Sequence, residues 1–152
     1  MAATIGSQGF IESDWDIKEH DWGGKCFFFL PYSSLLAKII GHGKKIEQIR
    51  FEVRKNGYKT LNNMILFEHS TFKGKVMVEI EKQDKYDDQV ITFDEGSIVD
   101  TLVHIGSISS VGKVITRLTE RVSNKRAKPP RSIYYWLVSG VGSDKTVVFA
   151  IS

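Results

Sequence analysis

The stretch from Val99 to Leu137, VDTLVHIGSISSVGKVITRLTERVSNKRAKPPRSIYYWL, constrains the fold more than any other part of the chain. A β-branched run ends at His104-Ile105-Gly106, where glycine marks a sharp turn. Ser107, Ser109 and Ser110 offer a helix start, and Ile108, Val111, Ile115, Leu118 and Val122 then recur at steps of three and four. That spacing gives one amphipathic helix with a single apolar face. Pro129-Pro130 closes the basic loop that follows, and Ser132 to Leu137 alternates as an aromatic strand. Ser132, Tyr134 and Trp136 share one face of that strand, and Ile133, Tyr135 and Leu137 share the other. The unit is strand, helix, strand, with one helix to cover a sheet.

The rest of the chain supplies more strands. Cys26 to Leu30 is a short apolar run and reads as a buried strand. Ser33 to Ile40 reads as a short helix with Leu35, Leu36, Ile39 and Ile40 inward, broken by Gly41-His42-Gly43. Ile49, Phe51 and Val53 alternate with Arg50, Glu52 and Arg54, which predicts a half-exposed strand before the Asn56-Gly57 turn. Further strands are expected over 63–69, 75–81, 90–93, 99–104 and 146–151. The order, roughly β-α-β-β-β then β-β-α-β-β, predicts an α+β domain with a largely antiparallel sheet and two main helices. Phe27 to Ile40 can be laid on Val103 to Thr116 without a gap, an offset of 76 residues that places Ser33-Ser34 on Ser109-Ser110. Two readings stand: a duplicated half-domain, which the repeated element order also suggests, or a chance match of serine caps at two strand-to-helix junctions. The expected organisation is a loosely ordered segment over 1–22, anchored by Trp15 and Trp22, and one domain over 23–152. Its halves run from about 24 to 82 and from about 89 to 152.

At 152 residues the chain can bury a sizeable core. No apolar run approaches a membrane span of roughly 20 residues, so no membrane is expected. The first 22 residues lack the basic start and apolar core of a secretory signal. One cysteine, Cys26, makes neither a disulfide framework nor a thiolate cage, which fits a reducing, cytoplasmic setting. The net charge of +3 is mild, and the basic run from Arg117 to Arg131 holds no interleaved aromatic residues. A nucleic-acid partner is therefore not expected. His20, His42, His69 and His104 have no metal-ligand spacing, and Asp84, Asp87 and Asp88 lack the EF-hand glycine and glutamate. No phosphate-binding loop is present either, so neither a metal nor a cofactor is expected.

HIGSISSVGKVITRL, the Pro129-Pro130 loop, SIYYWL and the terminal KTVVFAIS together resemble the GyrI-like (gyrase-inhibitory-protein-like) domain family. Residues 75–152 carry the resemblance, and residues 24–74 fit it in outline. It implies a duplicated β-α-β-β fold with a central pocket between the halves, a small-molecule ligand and, in some relatives, hydrolysis. In many members a glutamate lies two residues before a tyrosine on the aromatic strand; aligned on Tyr134, that position here is Ser132. A hydroxyl neither balances a buried cation nor serves as a strong base, so an acid from another strand is needed for either task. Glu52, Glu68, Glu79 and Glu81 lie in expected strands, and Glu79 is the first candidate. The site expected from residues and resemblance together comprises Ser132, Tyr134, Trp136, His104, Phe28, Phe67 and Glu79. It would hold an apolar or aromatic molecule by ring stacking and buried area. The alternatives are a hydrolase of small reactive molecules, a protein-interaction module and, by analogy with the similarly duplicated SOUL fold, a haem binder. A homodimer is left open.

Overall fold

The computed structural model describes residues 10–33, 41–70, 73–85, 87–140, 142 and 144–152. Eight strands and two long helices are present among them. β1 (Lys18–Asp21) and β2 (Cys26–Ser33) are followed by α1 (His42–Lys55), β3 (Leu66–Glu68) and β4 (Lys73–Ile80). After them come β5 (Val90–Thr92), β6 (Ile98–Ile105), α2 (Gly112–Arg126), β7 (Ser132–Leu137) and β8 (Lys145–Ile151). All strands join one sheet in the order β1-β6-β8-β7-β3-β4-β2-β5, and every neighbouring pair is antiparallel.

The order is symmetric about its centre. β3 and β7 meet there with Phe67 opposite Tyr135. Outward on one side, Phe67 faces Val76 and Val76 faces Leu30. On the other, Tyr135 faces Val148 and Val148 faces Leu102. Each half is thus a β-α-β-β unit, as the repeated element order implied. The offset of 76 is corrected by the register. Leu30 answers to Leu102 and Val76 to Val148, 72 positions apart, so Phe27 corresponds to Val99 and not to Val103. Serines at two strand-to-helix junctions attracted the ungapped match.

Two short connections bend this sheet. Trp22 to Lys25 lead from β1 at one edge to β2 beside the other, six strands away. Six spacings in a flat sheet are about 29 Å, whereas five Cα steps reach at most about 19 Å. The sheet must curl. The link between β5 and β6 makes the reverse journey, and the two connections hydrogen-bond where they meet: Trp22 N–H to Ser97 O at 2.9 Å and Gly24 N–H to Phe93 O at 2.8 Å.

Both helices cover the outer face. Gly41, at φ 82° and ψ 165°, takes a backbone conformation open essentially to glycine alone, and α1 starts from it. Ile46, Ile49 and Val53 of α1 pack on Phe28, Leu30, Phe67, Val76 and Tyr135. Val114, Ile115, Leu118 and Val122 of α2 pack on Leu102, Ile133, Val148 and Ala150. The strand expected over 49–54 is therefore a helix. Ile49 and Val53 fit a period of 3.6 as well as a period of two, and Ile46 upstream favours the helix. Phe51, which the strand reading turned inward, is exposed. The helix expected over 33–40 falls mostly outside the described residues; Ser33 itself ends β2.

α2 is moored at its C-terminal end. Buried Asp100 of β6 accepts hydrogen bonds from Lys125 Nζ at 2.9 Å and Arg126 Nη2 at 2.8 Å. Lys125 and Arg126 also meet Glu19 of β1. Burial pushes the Asp100 carboxyl up, but these bonds and charges outweigh it and hold it below its usual range. Cations in the last turn also suit the helix dipole.

Of the N-terminal segment, the structure describes residues 10–22. This part forms a 3-10 turn at Glu12–Asp14 and then β1, which pairs with β6 over four residues. Asp16 Oδ1 accepts from Val103 N–H at 3.1 Å, and Thr101 Oγ1 donates to the Trp15 carbonyl. Sequence alone offered no partner for this segment, because β6 lies some 80 residues away.

Candidate functional site

The inner, helix-free face of the sheet carries an aromatic cluster. Period two sends Phe27 of β2, Leu66 of β3, Met77 of β4, Tyr134 and Trp136 of β7, and Phe149 of β8 to this side. Trp22, on the β1–β2 connection, touches rings from two distant strands, with centroids 5.1 Å from Phe27 and 5.6 Å from Phe149. The sheet therefore curls around this face. Phe10 and Trp15 of the N-terminal segment lie over it, and both meet Trp136 edge-on at 5.8 and 5.7 Å.

Between that cover and the sheet lies a cavity of about 520 Å³, within the size range of small-molecule sites. Phe27, Glu79 and Trp136 line it from the sheet; Asn62 and Met64 line it from the approach to β3. Trp15, Trp22, His20 and Lys25 add to the wall, with Phe10, Asp14 and Asp21 beside them. All three tryptophans of the chain border this one space.

Glu79 is the buried charge of the cavity, only 8% exposed. Lys25 Nζ donates to its Oε2 at 3.0 Å, and Asn62 Nδ2 donates to its Oε1 at 3.1 Å. Alternation places it beside Phe27 on the inner face, opposite in sense to Val78 and Ile80. Solvent exposure, the ordinary fate of a strand glutamate, is avoided because the curl and the N-terminal cover close that face. His20 Nε2 lies 3.1 Å from Thr101 Oγ1; that hydroxyl already donates to Trp15 O, so the imidazole donates to it. Burial, reinforced by the Lys25 charge, lowers the His20 pKa and keeps the ring neutral near pH 7.

A second carboxylate lies further along the same face. Glu68 stands opposite Tyr134 in the β3–β7 register, with Lys75 Nζ 4.0 Å from its Oε1. Burial, with a smaller push from Glu68, raises the Tyr134 pKa and keeps the phenol protonated. Of the four glutamates weighed from sequence, Glu68 and Glu79 turn inward. Glu52 lies on α1, and Glu81 is exposed with Lys59 3.9 Å away.

The structure divides the expected site residues. Trp136 and Glu79 border the cavity, and Tyr134 packs in the same aromatic cluster, 3% exposed. Ser132 is partly buried at the start of β7, opposite Ile151. Phe28 and Phe67 do not join them. Both are fully buried in the outer core beneath α1, since their neighbours Phe27 and Leu66 take the inner positions. His104 is also on the outer side, where its Nε2 meets Ser107 O and Ser110 Oγ, each at 3.0 Å, and fastens the turn into α2. Trp15, Trp22, His20 and Lys25 were missing from the expected site. The signal for them was the aromatic and charged residues before Cys26, which nothing local ties to the sheet.

The outer core holds a polar cluster of its own. Tyr135 OH lies 2.8 Å from His42 Nε2 and 3.3 Å from Tyr32 OH. Burial lowers the His42 pKa. The unfolded chain then takes up a proton first as pH falls below the ordinary histidine value of 6.5, and stability declines from there until the folded histidine titrates. The midpoint of thermal unfolding is expected to drop between pH 7.5 and 5.5, and His42→Gln to flatten that slope. An equal slope in the variant would assign the loss elsewhere.

No family model matches the sequence, and no curated protein matches it significantly. Solved structures do share the fold. The EcmrR C-terminal domain is 13% identical, with a TM-score of 0.62 over 91% of this chain and 98% of that one. A hydrolase from Listeria innocua is 9% identical, with a TM-score of 0.52 over 91% and 92%. A structure of a hydrolase encoded by lin2189 from Listeria innocua aligns at 8% identity and a TM-score of 0.51 over 90% and 92%. The shared architecture is the α+β, antiparallel one that the GyrI-like resemblance implied. Among the described residues, no helix is long and apolar enough to cross a membrane.

Proposed function

We propose that the inner cavity binds a small, largely apolar, planar molecule between Trp136 and the other tryptophans that border it, and that the chain, with the segment over 10–22 forming part of the cavity wall, works as a binding module. The observation that carries this reading is the convergence of Trp15, Trp22 and Trp136 on one cavity that also holds a buried, hydrogen-bonded carboxylate. Indole faces supply large apolar area with little entropy to lose, and the few polar groups can orient a ligand. The fold shared with the EcmrR C-terminal domain and the resemblance to effector-binding GyrI-like domains support it. Intrinsic fluorescence and thermal shift across neutral aromatic, cationic and tetrapyrrole compounds test it. Saturable quenching with a raised melting temperature is expected from planar aromatic compounds. No response from any class would overturn the reading.

A second reading is hydrolysis of a small reactive molecule. It is favoured by Glu68 facing the protonated phenol of Tyr134, a base and an acid on adjacent strands, and by the fold shared with a Listeria innocua hydrolase. Turnover of chromogenic esters or epoxides that is lost in Glu68→Gln would support it. No turnover would remove it.

A further inference from the structure

We infer that Lys25 sets the charge specificity of the inner cavity: by pairing with Glu79 from within the chain, it reserves the site for uncharged planar molecules and keeps organic cations out. The inference rests on the cavity being the ligand site proposed above.

Glu79 is the one deeply buried carboxylate that lines the cavity among the described residues, and both of its oxygens already have donors. A carboxylate removed from water demands such partners, and would recruit a ligand cation if one were missing. Here the ammonium of Lys25 fills that role at 3.0 Å. Its backbone is fixed by hydrogen bonds from Lys25 N–H to Trp22 O at 3.1 Å and from Phe93 N–H to Lys25 O at 3.0 Å. A tethered ammonium competes at a high effective concentration, and a free cation does not. Exchanging one cation for another gains little Coulomb energy, while the incoming one still loses its hydration. A neutral ligand meets no such cost, because it leaves the pair intact.

The other ionisable groups at the cavity do not reverse this. Asp14 and Asp21 line it but are exposed, where water screens them, and Asp21 Oδ1 already accepts from Gly23 N–H at 2.8 Å. His20 lines the cavity too, and burial together with the Lys25 charge lowers its pKa.

The test compares two probes of the same shape, neutral methylnaphthalene and cationic N-methylquinolinium, by calorimetric titration of the full chain. The wild type is expected to favour the neutral probe at least about tenfold. Lys25→Met is expected to raise the cation-to-neutral affinity ratio by about tenfold or more, and Lys25→Met with Glu79→Gln to bring it back. Equal affinities of the wild type for the two probes would overturn the inference, a result that needs no variant to fold. So would an unchanged ratio in folded Lys25→Met while methylnaphthalene still binds. Binding of neither probe to any of the three proteins would instead remove the cavity as a ligand site, and the inference with it.

Discussion

Replacing Trp136 by alanine is expected to abolish ligand binding and to lower the stability of the fold by about 3–5 kcal/mol. The indole is 3% exposed and sits on β7, one of the two strands at the middle of the sheet. It carries the edges of Phe10 and Trp15, so its loss removes a wall of the cavity and the seat of the cover together. Trp136→Phe keeps an aromatic face at the same place and should recover most of the stability and part of the affinity. Urea unfolding measures the first effect. Calorimetry measures the second, since the substitution alters the fluorescence itself. Wild-type affinity in folded Trp136→Ala would show that the ligand sits elsewhere.

Phe67→Ala should cost a similar amount, about 3–5 kcal/mol, yet leave binding in place. Phe67 is fully buried one residue away from an inner-face position, but on the other side of the sheet. It stacks on Tyr135 at 5.6 Å and 16°, and it meets Tyr32 at 5.1 Å and His42 at 4.7 Å. Alanine would leave a void beneath α1 and remove the apolar backing of the Tyr32–His42–Tyr135 cluster. Single domains hold only about 5–15 kcal/mol in reserve, so a markedly lower melting temperature is expected. At low temperature the folded variant should still titrate with ligand. Loss of binding by a fully folded Phe67→Ala would contradict the separation of the two faces.

That separation marks the limit of what the sequence discloses. The unit from β6 to β7 is legible because its periods are clean: steps of three and four from Ile108 to Val122, then strict alternation from Ser132 to Leu137. The inner and outer sets of β7 follow from the same alternation. Phe27-Phe28-Phe29 is different. Apolar residues fill both faces of β2, so nothing local says which ring turns inward; the register with β4 decides it. α1 was hidden because Ile49 and Val53 fit two periods, and six alternating residues from Ile49 to Arg54 outweighed one isoleucine upstream. Glu79 could be placed on a face by parity, but its burial depends on the curl, which depends on connections between opposite edges of the sheet. Trp15, Trp22 and Lys25 reach the site through the same long-range closure. The fold class and the Trp136 side of the site could thus be read from residues, whereas the cover and the ion pair could not.

The three indole N–H signals of the chain offer the most direct test, since every tryptophan borders the cavity. In a two-dimensional nitrogen–proton NMR titration with methylnaphthalene, all three are expected to shift together and to saturate at one equivalent, while backbone amides of α2 stay in place. Binding that raises the melting temperature but leaves the indoles unmoved would contradict a ligand in the inner cavity.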